Sequence, residues 1–415
     1  MKRVVVLGGA GGIGSVAVRA LGALGTFEEI VVADLSFEAA EAVAAKAAAA
    51  TASAMGGGSI IARGVDVNEP ESLGQLLSGA RVALNCVGPF YRFGPPILEA
   101  AIRAKVDYVD VCDDLAPTRT MLGMHEMAKE AGVSALIGMG NSPGLANVFV
   151  RLCADGLLER VESVDIMHLH GGEPEEGAAV VKHRIHAMTN EVPLFVDGEL
   201  ISVWQLEESG ARFVVETDFP GLGKFPVYPY PHPETITLPA HLPDLRRATN
   251  LGVIFPLAYF KLTQDMVRVG ACVEEPLVVE GREVIPLEFS VAHILAQRPR
   301  LLEEAGVKGP AGCLKVVVGG LAGGERRQLV LAISSTSAGA GEGTGIPAAA
   351  GAALMAEGRV KGPGVLPPEA AVQPFEVLEL AMRAAKRMGV VGEGQSITVE
   401  MVDEAGKRTP VPLPF

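Results

Sequence analysis

The chain has 415 residues, 49% of them hydrophobic, and a formal net charge of −14 at pH 7. This length is enough for two domains, and the negative charge argues against nucleic acid or an anionic membrane as the main partner. Five cysteines occur without a C-x-x-C pair, which favours reduced thiols in a cytoplasm and no structural zinc. No apolar run reaches, without interruption, the roughly 18 residues of a membrane span.

Residues 2–34 predict a strand, a glycine-rich turn, a helix and a second strand. The turn fits G-x-G-x-x-G between a strand and a helix, as that motif requires. Gly9 allows the tight turn, Gly11 leaves room for a pyrophosphate, and Gly14 lets the helix pack close to the sheet. The helix N-terminus adds free N–H groups and the positive end of the helix dipole. The expected dinucleotide contacts are Gly9, Gly11, Gly12, Ile13 and Gly14.

An acidic residue, Asp34, ends the second strand 20 residues after Gly14. A carboxylate at this point would bind the ribose hydroxyls of the dinucleotide and repel a 2′-phosphate. No Arg or Lys follows it in residues 35–38. The sequence therefore favours NAD over NADP as the cofactor.

The first third of the chain alternates between apolar strands and helices. Six strands in this order predict a doubly wound parallel α/β sheet, the Rossmann arrangement. The expected strands after the first two are 60–67, 81–87, 108–112 and 133–139, and the expected helices are 37–50, 70–78, 96–104 and 119–131.

Ligands of open parallel sheets bind beyond the carboxyl ends of the strands. The loop after the fourth strand should therefore run along the cofactor, with Asn85, Gly88 and Pro89 in contact with it. A second glycine turn, residues 140–147, comes before another helix, and its N–H groups could hold an anion or a cofactor amide.

The strand that ends at Cys112 is followed by two acids, Asp113 and Asp114. Acids at this place could cap the next helix. They could instead face a cationic substrate. The sequence leaves both alternatives open.

From about residue 161 the strands alternate and helices become sparse, which predicts an α+β segment with a mixed or antiparallel sheet. A strand is expected at 212–216 and a hairpin from 313–319 and 327–335. His168 and His170 should share one strand face. Two histidines without acids or cysteines at ligand spacing favour an ordinary sheet face, and no metal site is predicted.

The C-terminal part predicts helices at 344–356 and 374–388 and a last strand at 396–402. The small residues of the first helix suit close packing on the N-terminal domain. The expected organisation is a dinucleotide-binding domain at 1–148, a substrate-binding and dimerisation domain at 149–342, and a C-terminal segment, 343–415, that packs back on the first domain.

Several motifs resemble the saccharopine dehydrogenase-like family, which includes saccharopine reductases, lysine ε-dehydrogenases and carboxynorspermidine dehydrogenases. They are Gly9–Gly14, Asn85–Pro89, Tyr108–Asp110, Gly140–Asn147, Thr344–Ala349 and Gly364–Glu369. The resemblance implies a Rossmann domain, an inserted α/β domain that binds an amino-acid-like substrate, and a homodimer. In one departure, Ser142 stands where the family often has Asp.

The resemblance also implies redox chemistry at a C–N bond of an amino acid or polyamine derivative. Such a reaction needs a base for the ammonium proton and counter-charges for the substrate. The base candidates are His183, His186, His232 and, if burial lowers its pKa, Lys182. Arg92 and Arg184 are candidate carboxylate clamps, and Asp113 is a candidate amine anchor.

Three functions remain open at this point. The first is an NAD-dependent amino-acid dehydrogenase, either saccharopine-type or similar to lysine ε-dehydrogenase. The second is an oxidoreductase on a carbonyl or lipid substrate, which the apolar residues Phe90 and Tyr91 would suit. The third is a non-catalytic protein that binds a dinucleotide.

Overall fold

A computed structural model of the chain describes residues 2–55, 58–173, 176–336, 339–391 and 395–412. Within these ranges the chain forms 19 strands and 15 helices, numbered here in chain order. Two large sheets organise them. In the part of the chain that the structure describes, no helix is long and apolar enough to cross a membrane.

The first sheet has seven strands, all parallel. Its order, β3-β2-β1-β4-β5-β6-β17, is the doubly wound Rossmann order with one strand added. The predicted fold class is therefore confirmed, and the seventh strand was not predicted. The strands are β1 (Arg3–Leu7), β2 (Glu29–Asp34), β3 (Ser59–Gly64), β4 (Val82–Asn85), β5 (Asp107–Asp110), β6 (Ser134–Leu136) and β17 (Gly364–Leu366).

The helices of the first domain differ from the prediction in two places. The helix expected at 96–104 already begins at Phe90, whose buried ring anchors an extra turn ahead of Pro95. The helix expected at 119–131 is two helices, because the chain breaks at Gly123. The helices are α1 (Gly12–Leu24), α2 (Phe37–Met55), α3 (Pro70–Leu77), α4 (Phe90–Ala104), α5 (Leu115–Leu122), α6 (His125–Ala131) and α7 (Leu145–Gly156).

The second sheet has ten strands and is mixed, with β7 and β12 parallel and the other pairs antiparallel. The predicted hairpin is confirmed as β15 and β16. The strand expected at 212–216 begins only at Val215, because a short helix ends at Ala211 and residues 212–214 form the turn that follows it. The strands are β7 (Arg160–Gly171), β8 (Glu191–Val196), β9 (Glu199–Trp204), β10 (Val215–Phe219), β11 (Gly223–Pro229), β12 (Arg247–Phe255), β15 (Ala311–Ala322), β16 (Glu325–Ser335), β18 (Gln395–Val402) and β19 (Arg408–Pro410).

A separate two-stranded hairpin, β13 (Leu277–Val279) and β14 (Arg282–Val284), stands outside this sheet. The helices of the second half cover the large sheet or return to the first domain. They are α8 (Ala178–Thr189), α9 (Glu208–Ala211), α10 (Glu234–His241), α11 (Leu257–Arg268), α12 (Pro286–Glu304), α13 (Ala340–Ala356), α14 (Pro368–Ala371) and α15 (Pro374–Arg387).

The C-terminal segment divides between the two sheets. Helix α13 packs on α1, and β17 joins the first sheet beside β6. Strand β18 pairs with β16 in the second sheet, followed by β19, so the end of the chain does not return wholly to the first domain as expected. The boundaries at 148 and 342 stay a prediction. One apolar core runs through α7 from the first sheet to β7 and β15 of the second.

Candidate functional site

The glycines of the first turn fall into two groups. A Cβ at Gly14 would lie 2.1 Å from the carbonyl oxygen of Gly8, and one at Gly9 would lie 2.8 Å from the Val32 side chain. Glycine is therefore needed at these two positions, because any side chain there would clash with the neighbouring strand or turn. A Cβ at Gly11 would meet only the Gly8 carbonyl oxygen, at 3.3 Å, and a Cβ at Gly12 would meet nothing within 4 Å. An open cradle therefore lies at the N-terminus of α1, where no side chain caps the helix, and it fits the phosphates of a dinucleotide.

The carboxyl group of Asp34 lies beside this cradle at the end of β2. It accepts hydrogen bonds from the N–H of Ala10, at 3.0 Å, and of Ser36, at 3.4 Å. The carboxylate is thus held next to the turn by the backbone, where its charge opposes a second anion such as a 2′-phosphate.

The loop after β4 is held by the Asn85 side chain. Its amide donates to the Tyr108 hydroxyl at 3.0 Å and accepts the N–H of Val87 at 2.9 Å, and the residue is fully buried. Asn85 therefore positions the loop through its side chain. A Cβ at Gly88 would meet nothing within 4 Å, and the Gly88–Pro89 peptide is cis. Contact of these three residues with a cofactor stays a prediction.

A buried aspartate, Asp110, connects β5 with the second glycine turn. It accepts hydrogen bonds from the Tyr108 hydroxyl at 2.9 Å and from the N–H groups of Cys112 at 3.1 Å and Gly138 at 2.7 Å. Burial raises the pKa of Asp110 to about 6, and the three hydrogen bonds oppose this rise. Sequence reasoning noted Asp110 only as part of a motif, without a role.

The second turn contacts the second domain through a polar group that we call the interdomain cluster. The Ser142 hydroxyl donates to the Glu234 carboxylate, accepts from the Asn250 amide at 3.0 Å, and lies 3.2 Å from Nδ1 of His232. The Asn250 amide oxygen in turn lies 3.1 Å from Nε2 of His168. The cluster comprises Ser142, His168, His232, Glu234 and Asn250.

Burial decides the charges in this cluster. It lowers the pKa of His168 to about 3, with a contribution from nearby His170, and it lowers the pKa of His232 well below its usual value. Both imidazoles are therefore neutral at pH 7. Burial raises the pKa of Glu234 to about 7, against the lowering effect of the Ser142 hydrogen bond.

The acid pair after β5 faces a histidine of α8. Nε2 of His183 lies 4.0 Å from Asp113 and Nδ1 lies 3.7 Å from Asp114. Asp114 occupies the N-cap of α5, but no side-chain hydrogen bond caps that helix. Burial raises the pKa of Asp113, and His183 opposes the rise. Of the two roles that the sequence left open, the helix cap is therefore not formed, and the ligand atoms of the three side chains lie within 4.8 Å of one another.

Tyr230 connects the acid pair with the interdomain cluster, and sequence reasoning missed it. Its ring lies edge-on to those of His168 at 5.2 Å and His232 at 5.3 Å, and it is 6.4 Å from the ring of His183. His168 and His232 stack on each other at 5.1 Å. The run of Tyr230, Pro231, His232, Pro233 and Glu234 was the available signal.

Three other predicted candidates lie apart from these groups. Lys182 is 40% exposed and pairs with Glu288 at 2.5 Å, so the burial that would make it a base is missing. Arg92 is exposed, over the ring of Phe93. His186 is exposed and stacks on Tyr91 across the domains, at 6.4 Å.

Arg184, the other candidate clamp, already has a carboxylate partner in its own chain. It is 1% exposed, pairs with Glu176, and lies over the ring of Tyr259 at 4.9 Å. Its guanidinium is therefore part of the second domain's packing. Glu176 contacts Nη2, whereas Nε and Nη1 are buried without a hydrogen-bond partner among the described residues, so binding of a substrate carboxylate by Arg184 stays a prediction.

The first domain is similar to a known protein family. Residues 4–136 match the family model described as the saccharopine dehydrogenase NADP binding domain. The fold of the whole chain is similar to that of apo saccharopine dehydrogenase (L-Glu forming) from Saccharomyces cerevisiae. The TM-score is 0.64 at 17% identity, over 97% of this chain and all of that one.

Two relatives have names that concern polyamine derivatives. Carboxyaminopropylagmatine dehydrogenase of Synechocystis sp. is 25% identical over 392 residues, which are 88% of this chain and 92% of that protein. Carboxynorspermidine synthase of Vibrio cholerae is 28% identical over 249 residues, 55% of this chain and 56% of that protein. The resemblance to the saccharopine dehydrogenase-like family is thereby confirmed. The matches and the glycine cradle together support an oxidoreductase with a nicotinamide dinucleotide cofactor.

Proposed function

We propose that the chain is an NAD-dependent dehydrogenase that acts on a C–N bond of a carboxylated polyamine or a related amino acid. The observation that carries this proposal is the acid pair Asp113–Asp114. It follows a strand of the dinucleotide-binding sheet, at the edge where ligands of such sheets bind, and no Lys or Arg is paired with it among the residues described. Two carboxyl groups without a Lys or Arg partner suit the amine of a substrate.

NAD is the cofactor that the cradle favours. Gly11 and Gly12 leave space for the phosphates, and Asp34 places a negative charge beside it. The matched family model is described by NADP binding; we base the choice of NAD on the carboxylate, which would bind ribose hydroxyls and repel a 2′-phosphate. When bound, the nicotinamide would exchange a hydride with the amine-bearing carbon of the substrate.

The residues of the chain would supply binding and proton transfer. Asp113 would hold the substrate amine, with Asp114 and His183 beside it. We choose His232 over His183 as the base candidate because the Ser142 hydroxyl links its Nδ1 to the Glu234 carboxylate. Its imidazole is neutral at pH 7, but burial makes it a weak base unless its other proton can pass to such a carboxylate. Nδ1 of His232 lies at Ser142, whereas Nε2 has no hydrogen-bond partner among the described residues. We therefore propose that Nε2 of His232 accepts the proton of the substrate ammonium group.

The experiment is a turnover assay with NAD and NADP against carboxylated polyamines, saccharopine and lysine, and against carbonyl and lipid substrates, with the absorbance of the reduced cofactor as the readout. Turnover of a carboxylated polyamine or amino acid supports the proposal. Turnover only of carbonyl or lipid substrates contradicts it, and would give a role to the exposed ring of Tyr91, which is 67% exposed. Saturable cofactor binding without turnover on the whole panel would favour a non-catalytic role.

We also propose a homodimer, formed through the β13–β14 hairpin of the second domain. Five apolar residues in and beside this hairpin are more than a third exposed in the single chain, at 36–73%: Leu277, Val278, Val279, Val284 and Ile285. Exposed apolar clusters of this kind mark association surfaces. Val278→Lys should convert a dimer to a monomer in analytical ultracentrifugation, and an unchanged mass would exclude this surface.

The five free cysteines fit a reducing cytoplasm.

A further inference from the structure

Glu234 is a buried carboxyl group that is paired with no Lys or Arg among the residues that the structure describes. Its side chain is fully buried, and within that part of the chain the only basic nitrogen within 4 Å is Nδ1 of His232, at 3.9 Å. Its other contacts are the neutral groups of Ser142 and Asn250. Oε2 of Glu234 has no hydrogen-bond partner in the described part of the chain. A buried charge of this kind is costly unless it is paired, so packing alone gives no reason for a carboxyl group here.

The groups that face Glu234 from the surrounding elements make the site more acidic. Asp113, after β5, and Glu369, in α14, both raise the pKa of Glu234 through their charges. Imidazoles come from β7 and from the segment after β11, but His168 and His232 are neutral. Glu234 is therefore a group that gains or loses a proton easily near pH 7, where its pKa of about 7 places it.

The Ser142 hydroxyl can connect Glu234 to His232 in two equivalent ways. A hydroxyl donates one hydrogen bond and accepts two. When Glu234 is ionised, Ser142 donates to it and accepts from Asn250 and from Nδ1–H of His232. When Glu234 is protonated, it donates to Ser142, which then donates to a bare Nδ1. Every group keeps its hydrogen bond in both arrangements, so a proton can pass without movement of heavy atoms.

The Asn250 side chain is held in the orientation that this exchange needs. Its amide nitrogen donates to Ser142, so its oxygen must accept the hydrogen bond from Nε2–H of His168. His168 also stacks on His232 and fixes the plane of that ring, at an interplanar angle of 8°. Both residues position the relay and take no proton themselves.

We propose that Ser142 and Glu234 form a proton relay behind His232, with Glu234 as the terminal proton acceptor. The inference rests on the proposed function. The substrate ammonium gives its proton to Nε2 of His232, the Nδ1 proton passes to the Ser142 oxygen, and the Ser142 proton passes to Glu234. One proton leaves the substrate and one arrives on Glu234. His232 ends neutral with its proton on the other nitrogen, so the buried imidazolium that the site disfavours never has to form. Glu234 is thus a positioning and proton-storing residue that does not touch the substrate.

The kinetic test compares Glu234→Gln, Ser142→Ala and Ser142→Thr in the full chain. The wild type should show a limb in the pH profile of kcat with an apparent pKa near 7. Glu234→Gln and Ser142→Ala should abolish this limb and lower kcat by about 10²- to 10³-fold, as expected for loss of acid–base catalysis, with KM and the Kd for NAD nearly unchanged. Ser142→Thr keeps the hydroxyl and should restore the limb.

Glu369→Gln is the matched control, since Glu369 is also buried but bonds to Asn147 instead of Ser142. Because the charge of Glu369 raises the pKa of Glu234, this variant should keep the limb and move it to lower pH. An unchanged limb in Glu234→Gln, or the same loss in Glu369→Gln and Glu234→Gln, would overturn the relay.

A second readout needs no substrate, so it separates the relay from the proposed function. Nitrogen-15 NMR of the histidine-labelled protein should show Nδ1 and Nε2 of His232 changing shift near pH 7 while the ring stays neutral, because Glu234 titrates. Glu234→Gln should remove this change. Identical titrations of His232 in both proteins would overturn the relay, even if a carboxylated polyamine is turned over. Failure of turnover together with the expected NMR change would overturn the proposed function alone.

Discussion

At the scale of single residues, the glycines of the first turn fall into two kinds: those needed for packing and those that leave space for the cofactor. Gly11→Val should leave the fold intact, because the added Cβ meets only the Gly8 carbonyl at 3.3 Å, but the side chain would fill the cradle and abolish NAD binding. Gly14→Val is the contrasting variant, since its Cβ would lie 2.1 Å from a backbone oxygen and should unfold the domain. Calorimetric titration and thermal melting distinguish the two. A folded Gly11→Val protein with normal NAD affinity would remove the cofactor from this turn.

We expect Asp34 to determine the choice of cofactor through its charge. Asp34→Asn should weaken NAD binding by about tenfold, the effect of losing a charged hydrogen-bond acceptor, and should strengthen NADP binding because the repulsion of the 2′-phosphate is gone. Fluorescence titration with both reduced cofactors measures this. Glu28→Gln, just before the other end of the same strand, should change neither affinity. If the variant Asp34→Asn bound NAD as tightly as the wild type does, and NADP as tightly as the wild type does, the carboxylate would not reach the ribose.

The residues that the sequence could predict are those whose partners lie nearby in the chain. Gly9, Gly14 and Asp34 belong to one βαβ unit, so the close packing at the two glycines and the place of Asp34 beside the turn follow from local spacing. Ser142 and Glu234 are 92 residues apart, and only the packing of two domains brings them together. Lys182 was a candidate because residue type alone does not reveal that its side chain turns outward to Glu288.

At the scale of secondary-structure elements, α13 fixes the position of the cofactor cradle. A Cβ at Gly345 would lie 2.8 Å from the carbonyl oxygen of Ile13 and 2.9 Å from the Cβ of Val16, both in α1. Gly345→Val should therefore push α1 and α13 apart, lower the free energy of unfolding by about 1–3 kcal/mol, and weaken NAD binding. Urea unfolding and cofactor titration measure the two effects.

Gly343→Ala is the control in the same helix. Its Cβ would meet only the Asn141 side chain, at 3.7 Å, which is ordinary contact, and alanine favours a helix by about 0.5–1 kcal/mol over glycine. This variant should be neutral or slightly stabilising. If Gly345→Val were as stable as Gly343→Ala, close approach of the two helices would not be what holds the cradle.

The elements that the sequence missed are short or depend on distant partners. β17 has three residues and follows the Gly362–Pro363 pair, so no periodicity marks it, and it exists because β6 offers an open edge. The long hairpin β15–β16 was predicted correctly, because each strand has enough apolar residues to show its pattern. β18 was predicted as a strand, but its place beside β16 could not be known.

At the scale of the whole molecule, the two domains share both a core and a polar contact. Apolar packing runs through α7 between the sheets, while the interdomain cluster joins the second turn to β12 and α10. The stability of the folded chain is therefore linked to the ionisation of groups in that contact, and Glu234 is one of them.

The pH dependence of stability tests this linkage. The pKa of Glu234 rises from 4.5 to about 7 on folding, so its contribution is full below pH 4.5 and is lost as the pH rises to about 7. Between pH 5 and pH 8 the wild type should lose, through this group, on the order of 2–3 kcal/mol of the free energy of unfolding. Glu234→Gln does not titrate, so its stability relative to wild type should improve by that amount over the same interval.

His168, His232 and Asp110 also make the free energy of unfolding depend on pH. Their contributions are common to wild type and Glu234→Gln, so they largely cancel in the difference between the two proteins. Glu71→Gln, at an exposed position of α3, is the control and should give a difference that does not vary with pH. Urea unfolding at both pH values measures all three proteins. A constant difference between Glu234→Gln and wild type would mean that Glu234 has the same pKa folded and unfolded, and the carboxyl group would then be open to water instead of sealed between the domains.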